Sequence, residues 1–251
     1  MRSFREKVLK GEFAAGIWNN LDSSVVTEII GLCGYDWVLL DTEHRPSTTG
    51  GLLHQMQSLS GSITVPIVRV PWLDRVAVKL ALDIGAAGIM VPCIDTVEQA
   101  CEAVSFMRYA PQGVRGVGAG TRASAYGFNF QQYFENSSKE LLTVVQIETQ
   151  LGVNNVRQIA EVDGVDVVFV GPVDLSVSIG MLKRFADSKF MDILAAVAHD
   201  VRIVGKAAGI LLPGLELLPD VQKMGYSFVA VSSDIGAMTM QLKAIIQSMR
   251  T

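Results

Sequence analysis

Short runs of branched apolar residues alternate with longer stretches of helical spacing along the whole chain. Ala14 to Trp18, Asp36 to Asp41, Val65 to Val70, Gly88 to Val91, 143–149, 167–170, Lys206 to Leu212 and Phe228 to Val231 read as strands, because apolar side chains run on without a polar face. Helical spacing follows each of them. It covers Ser24 to Leu32 behind the capping candidates Asp22 and Ser23, a segment from about Gly51, Arg75 to Leu82 and Val97 to Tyr109. It resumes at about 151–160, near Met191 to Ile203, from Leu215 to Met224 and from Ile235 to Met249. Eight strands, each followed by a helix, predict an α/β fold of the (β/α)8 or TIM-barrel type, one domain over residues 1–251.

The rhythm breaks between Pro111 and Asn136, where Gly and aromatic residues dominate. A connection this long inside a compact domain is usually functional or committed to a partner. Tyr126, Phe128, Phe130, Tyr133 and Phe134 lie there with little charge around them, and exposed together they would form an apolar patch of the kind that marks an interface. A homo-oligomer is the expectation.

In such barrels chemistry sits at the C-terminal ends of the strands. Here those ends carry Asp41, Glu43, His44, Arg69, Gln146, Glu148, Asp174 and Ser232 to Asp234. Gln146 and Glu148 are two residues apart, so on a strand both share the face of Val144. A carboxylate buried there costs several kcal/mol unless something pairs with it. Asp174 follows the next strand. Two carboxylates about 4 Å apart repel by roughly 4 kcal/mol at an effective dielectric near 20, so if Glu148 and Asp174 converge they need a cation. Oxygen-only ligation suits Mg²⁺ or Mn²⁺ better than zinc. The plain alternative is a pair of strand-end residues in salt bridges.

Only three histidines narrow the choice of a base. His54 and His199 fall in helical segments. His44 follows the second strand beside Asp41 and Glu43, where an imidazole can be poised near neutral pH; its other reading is a loop-capping residue. Arg69 ends an apolar strand on the face of Ile67, either as a structural ion pair or aimed at a substrate carboxylate or developing enolate. The Gly116-Val117-Gly118-Ala119-Gly120 run follows a turn and is no nucleotide loop. Lys206 begins its strand instead of ending it, at the wrong face for Schiff-base chemistry.

Composition narrows the class. Charged residues make up 18% and apolar ones 49%, a balance that suits a buried sheet under a helical coat. A net charge of −4 argues against nucleic acid or acidic membrane as partner. Cys33, Cys93 and Cys101 lack the spacing of a disulfide framework or zinc site, no hydrophobic leader is visible, and no apolar run is long enough to span a membrane. A cytoplasmic protein is expected.

With these residues in hand, the chain resembles the HpcH/HpaI aldolase family, the metal-dependent pyruvate aldolases. The resemblance runs through GYDWVLLDTEH (34–44), VPIVRVP (65–71), ALDIGAAGIMVP (81–92), RYAPQGVRGVG (108–118), VVQIET (144–149), VFVGPVDLS (168–176), GKAAGIL (205–211) and FVAV (228–231). QIETQLGVNNV and GLCGYDWVLLD look closest to the 2-dehydro-3-deoxyglucarate aldolase branch. The resemblance implies reversible cleavage of a 4-hydroxy-2-oxo acid, a 2-dehydro-3-deoxy sugar acid or 4-hydroxy-2-oxo-dicarboxylate, into pyruvate and an aldehyde. It implies Glu148 and Asp174 as ligands of a divalent cation (Mg²⁺, Mn²⁺ or Co²⁺) and Gln146 as substrate-binding. It also implies His44 as base, Arg69 as transition-state stabiliser that also binds substrate, Asp41 as a further catalytic residue, and Asp83 as support for the histidine. The backbone N–H groups of Val173 and Asp174 would receive the pyruvate carboxylate. Asp83 precedes the fourth strand, on the wrong face for its own site, so either it acts through a neighbouring subunit or the family's role does not carry over to it. The assembly implied is a homohexamer, with Arg122 and Asp83 near a neighbour's site mouth.

The same enolate chemistry also serves oxaloacetate decarboxylation or a macrophomate-synthase-like reaction, and a non-enzymatic oxo-acid-binding protein is the reading from another class. Thr42, Arg45, Val173 and Ser232 depart from the family's usual residues, and Arg45 and Val173 are expected to border the aldehyde side.

Overall fold

The computed structural model describes residues 3–250 of the chain. Strands β1 (Ala14–Asn19), β2 (Trp37–Asp41), β3 (Val65–Arg69), β4 (Gly88–Val91), β5 (Leu142–Ile147), β6 (Val167–Val170), β7 (Ala207–Leu212) and β8 (Tyr226–Ser233) pair in sequence order, and β8 closes on β1. Every pairing is parallel. The expected (β/α)8 barrel is therefore the observed fold.

The two-residue period of the strands sorts their side chains into two cores. Trp37, Leu39, Ile67, Val144 and Phe169 fill the barrel interior, while Val38, Leu40, Val68, Val145 and Val168 pack outward against the helices. Trp37 stacks on Phe228 with ring centroids 4.0 Å apart. Gly16 makes room for that stack, since a Cβ there would lie 2.1 Å from the indole. Helix Phe4–Leu9, which the pattern had not announced, plugs the N-terminal end: Val8 is buried among the interior residues and Arg5 holds Asp166 by two hydrogen bonds.

Boundaries moved where capping chemistry decides them. Ser23, not Asp22, caps helix Ser24–Leu32, by accepting from Val26 N–H; Asp22 instead accepts from the Gln55 amide. The helix expected at 151–160 is two short ones, Gln150–Asn154 and Val156–Glu161, broken where the Asn155 side chain donates to the Asp95 carbonyl. The 111–136 stretch contains a 3₁₀ turn (Arg122–Gly127) and runs into helix Phe130–Glu140. Its aromatics are largely satisfied within the chain. Phe134 stacks on Tyr109 at 4.7 Å, Phe130 packs on Phe134, and the Tyr133 hydroxyl accepts from Arg115. Tyr126 and Phe128 alone of the five stand well out.

The larger apolar surface lies elsewhere. Helix Asp234–Arg250 is exposed along nearly its whole length, with Met238, Met240, Leu242, Ile245, Ile246 and Met249 facing outward. Among the described residues, no helix is long and apolar enough to cross a membrane.

Candidate active site

The C-terminal ends of the strands surround a cavity of about 500 Å³ lined by Trp18, Asn20, Asp41, His44, Arg69, Gln146, Val173 and Asp174, with Phe185, Leu211, Leu212 and Ser232 on its far side. Arg69 anchors one wall. It and Asp41 are direct neighbours across the β2–β3 ladder, and the guanidinium donates through Nε and Nη2 to the two carboxylate oxygens at 3.0 and 2.7 Å. Burial works against both charges, yet the pair outweighs it: Asp41 is held below the ordinary carboxylate range and Arg69 above its usual value. The third nitrogen, Nη1, sits 2.9 Å from Glu43 Oε2, and the guanidinium carbon lies 5.1 Å over the Trp18 ring.

Glu148 anchors another wall, just beyond β5. Its Oε1 accepts from Gln146 Nε2 at 2.8 Å; its Oε2 accepts from the Cys93 backbone N–H at 2.9 Å and from the thiol at 3.2 Å. Burial drives the Glu148 pKa up, and the charges of Asp174 and Glu43 push the same way against the two Cys93 hydrogen bonds. Burial likewise raises Glu43, where Arg69 and His44 pull down and Asp41 and Asp174 push up. The Cys93 thiol is pushed up to about 12 by burial and by Glu148, so it serves as a neutral donor.

Asp174 reaches the cavity from helix Pro172–Ser178, which starts directly after β6. Gly171 precedes it for a steric reason: a Cβ there would lie 2.6 Å from Glu148 Oε1 and 2.8 Å from Gln146 Nε2. No side chain caps this helix, and Pro172 at its start has no N–H to offer. His44 stands at the mouth with its side chain 64% exposed and Nε2 3.8 Å from Glu43 Oε2.

The donor set fits a hard cation. Carboxylates at positions 43, 148 and 174 bear on one another, and the Gln146 Oε1 is buried with no hydrogen-bond partner. Among the described residues no three His, Cys, Asp or Glu side chains converge as a ready cage. A cation held by Glu148 and Asp174 would therefore complete its shell with water or substrate oxygens, the usual habit of Mg²⁺.

The model of the HpcH/HpaI aldolase/citrate lyase family matches residues 14–240 of this sequence. The chain belongs to that family. It is similar to the 5-keto-4-deoxy-D-glucarate aldolase of Salmonella paratyphi C (strain RKS4594), at 39% identity over 93% of this chain and 91% of the relative. Among solved structures it is similar to an HpcH/HpaI aldolase/citrate lyase family protein from Burkholderia cenocepacia J2315, with a TM-score of 0.94, 31% identity and 98% of each chain covered. Macrophomate synthase is also similar, with a TM-score of 0.86, 27% identity, and 99% of this chain and 89% of that one covered. The expectation of an aldolase, a carbon–carbon lyase, is thereby borne out.

The structure brings His44, Arg69, Asp41, Gln146, Val173, Asp174 and Glu148 together at one end of the barrel. It does not bring Asp83 there. Asp83 sits near the C-terminal end of helix Arg75–Ile84 and accepts from Arg115 Nη2 at 3.0 Å, so within its own chain it is a structural ion-pair partner. Arg122 is likewise engaged at home, donating to the Ile84 and Met56 carbonyls. Arg45, expected to border the aldehyde, is buried to 2% side-chain exposure and donates to the Leu21 carbonyl and Gln55 Oε1. It ties loops together behind the cavity instead of lining it.

Two residues were undervalued at the level of sequence. Glu43 stood beside His44 without a role, yet it is the partner of Arg69 Nη1. Cys93 was weighed only for disulfide and zinc chemistry. Its position just past β4, after Pro92, already placed it among the strand ends.

Proposed function

We propose that this protein is a class II, divalent-metal-dependent aldolase that reversibly cleaves a 4-hydroxy-2-oxo acid, of the 2-dehydro-3-deoxy sugar-acid or 4-hydroxy-2-oxo-dicarboxylate kind, into pyruvate and an aldehyde. The observation that carries the reading is Glu148: a buried carboxylate with both oxygens held in place, pressed by the charges of Asp174 and Glu43. Glu148 and Asp174 would hold Mg²⁺, Mn²⁺ or Co²⁺. When bound there, the cation supplies Lewis-acid polarisation of the substrate's 2-oxo group.

The remaining chemistry belongs to the side chains. Gln146 fixes Glu148, and its Oε1, buried without a partner, is left free to take a hydrogen bond from the substrate. The backbone N–H groups of Val173 and Asp174 receive the pyruvate carboxylate at the uncapped start of their helix. His44, exposed at the mouth, takes the proton of the 4-hydroxyl, directly or through water. The C3–C4 bond breaks, its electron pair passes to C3 and the 2-oxo oxygen, and the aldehyde leaves. Arg69 stabilises the developing enolate charge, its plane fixed by Asp41. Protonation at C3 then gives pyruvate. No lysine adduct enters: the Lys206 amine donates to the Val165 carbonyl at the other end of the barrel.

The likeness to macrophomate synthase favours one neighbouring reading, oxaloacetate decarboxylation or a related reaction of the same enolate. It needs Arg69 and the carboxylates but no base for a hydroxyl proton.

Assembly belongs to the same reading. The exposed apolar face of helix Asp234–Arg250 supports a homo-oligomer, a hexamer on the family pattern, in which Asp83 and Arg122 would serve a neighbour's site. Free thiols at Cys33, Cys93 and Cys101 support a cytoplasmic setting. Turnover of a panel of 4-hydroxy-2-oxo acids, read as pyruvate release, tests the activity. Release from none of them, with oxaloacetate decarboxylated, would favour the neighbouring reading.

A further inference from the structure

Ser232 carries a backbone conformation that its side chain does not favour. Its φ is +62°, in the left-handed region that glycine enters freely and other residues enter at a cost. The cause is a β-bulge. Gly16 on β1 pairs with Ala230 on β8, but Trp18 pairs with Ser233, so β8 spends one residue more than β1 over this interval. Bulges of this kind beside active sites re-aim a side chain. Here the extra residue lines the cavity mouth.

The surroundings are shaped to keep the hydroxyl there. Gly236 leaves the space open, since a Cβ on it would stand 2.8 Å from Ser232 Oγ and 3.3 Å from Ser233 Oγ. The Ser233 hydroxyl is used by the protein, accepting from the Gly236 N–H at 3.0 Å. Among the described residues the Ser232 hydroxyl has no hydrogen-bond partner. Asn20 lines the same wall from the end of β1, its backbone N–H held by Asp234 and its Oδ1 buried without a partner.

This wall lies across the barrel from Glu148, because β8 and β1 stand opposite β4 and β5 in the closed order. A 2-oxo acid head held on the β5–β6 side sends the atoms beyond C4 toward it. The neighbouring wall, formed by Phe185, Leu211 and Leu212, is apolar. We infer that Ser232, with Asn20 beside it, is a specificity-determining residue that recognises a hydroxyl on the aldehyde half of the substrate. A strained backbone held at a site is the form in which such a role is stored. The assignment rests on the aldolase reading and adds to it which residues choose the aldehyde.

The test runs the reaction in the synthetic direction, adding pyruvate to glyceraldehyde or to propanal in the presence of Mg²⁺, with wild type, Ser232→Gly and Ser232→Ala. Wild type should prefer glyceraldehyde in kcat/KM. Both variants should lose about tenfold of that preference, the size expected for one hydrogen bond. Only Ser232→Gly should also melt at a higher temperature, because glycine relieves the strain while alanine keeps it. An unchanged preference in both variants, including an equal loss on the two aldehydes, overturns the assignment, and so does a wild type without preference. Consumption of neither aldehyde by the wild type overturns the aldolase reading itself and the assignment with it.

Discussion

Arg69 gives Asp41 a two-point hydrogen bond across the β2–β3 ladder, and that bond leaves its third nitrogen, Nη1, beside Glu43. The orientation of the guanidinium is thus set by Asp41. Asp41→Asn leaves the buried Arg69 with Glu43 as its remaining carboxylate partner; breaking a buried pair costs about 3–5 kcal/mol, and Glu43 offsets part of that. Urea unfolding at pH 7 should show a loss of that order. Aldol cleavage should fall as well, since the fork is no longer held.

The same pair sets a pH dependence. Asp41 is held below its ordinary value of 3.8 in the folded protein. Its contribution is therefore fully present above that value and is lost as pH falls through the lower folded pKa. Unfolding midpoints of wild type and Asp41→Asn, measured from pH 7 downward, should differ most near neutrality and converge in strong acid. A constant gap across that range would count against the pair.

His44 divides two chemistries. A positioned base contributes about 10²- to 10⁴-fold, so His44→Ala should lose that much rate in aldol cleavage. Oxaloacetate decarboxylation removes no hydroxyl proton and should survive better. Equal loss of both activities would make His44 an organiser of the site and not its base.

Gly171 tests the geometry of the carboxylate wall. Its φ of −88° is open to any residue, so alanine meets no backbone strain, only the atoms of Glu148 and Gln146. Gly171→Ala should displace Glu148 and weaken Mn²⁺ binding by calorimetry about tenfold or more, the scale of losses when a ligand's support is disturbed. Unchanged affinity would show that Glu148 does not hold the cation.

For assembly, light scattering should give several times the 27.1 kDa chain mass. Replacing Met238, Leu242 and Ile245 by Ser on the exposed terminal helix should lower that mass and the activity together. A fully active monomer would return Asp83 to a purely structural role.

Much of the fold was legible because a parallel strand buried on both faces leaves a short, near-continuous apolar run. Gly88–Val91 and Val167–Val170 were read to the residue, and helix Ser24–Leu32 with them. The site was legible in part. Strand alternation put Arg69 on the face of Ile67 and Gln146 on that of Val144, which is where they are. Loop residues obey no such period. Arg45 turned inward to the Leu21 carbonyl and Gln55, and the aromatics near residue 130 found partners in Tyr109 and Arg115, because loop contacts depend on tertiary neighbours distant in sequence. Cys93 was missed for the same reason: its partner Glu148 lies 55 residues away.

The central claim is that Glu148 and Asp174 hold a divalent cation on which carbon–carbon cleavage depends. The most direct measurement is pyruvate release from a 4-hydroxy-2-oxo acid by chelator-treated enzyme as Mg²⁺, Mn²⁺ or Co²⁺ is added back, in wild type and Glu148→Gln. The expected result is no release after chelation, recovery with added cation in wild type, and a far higher cation requirement or none met in the variant. Full release in excess chelator, or a borohydride-stable adduct trapped on a lysine, would contradict it.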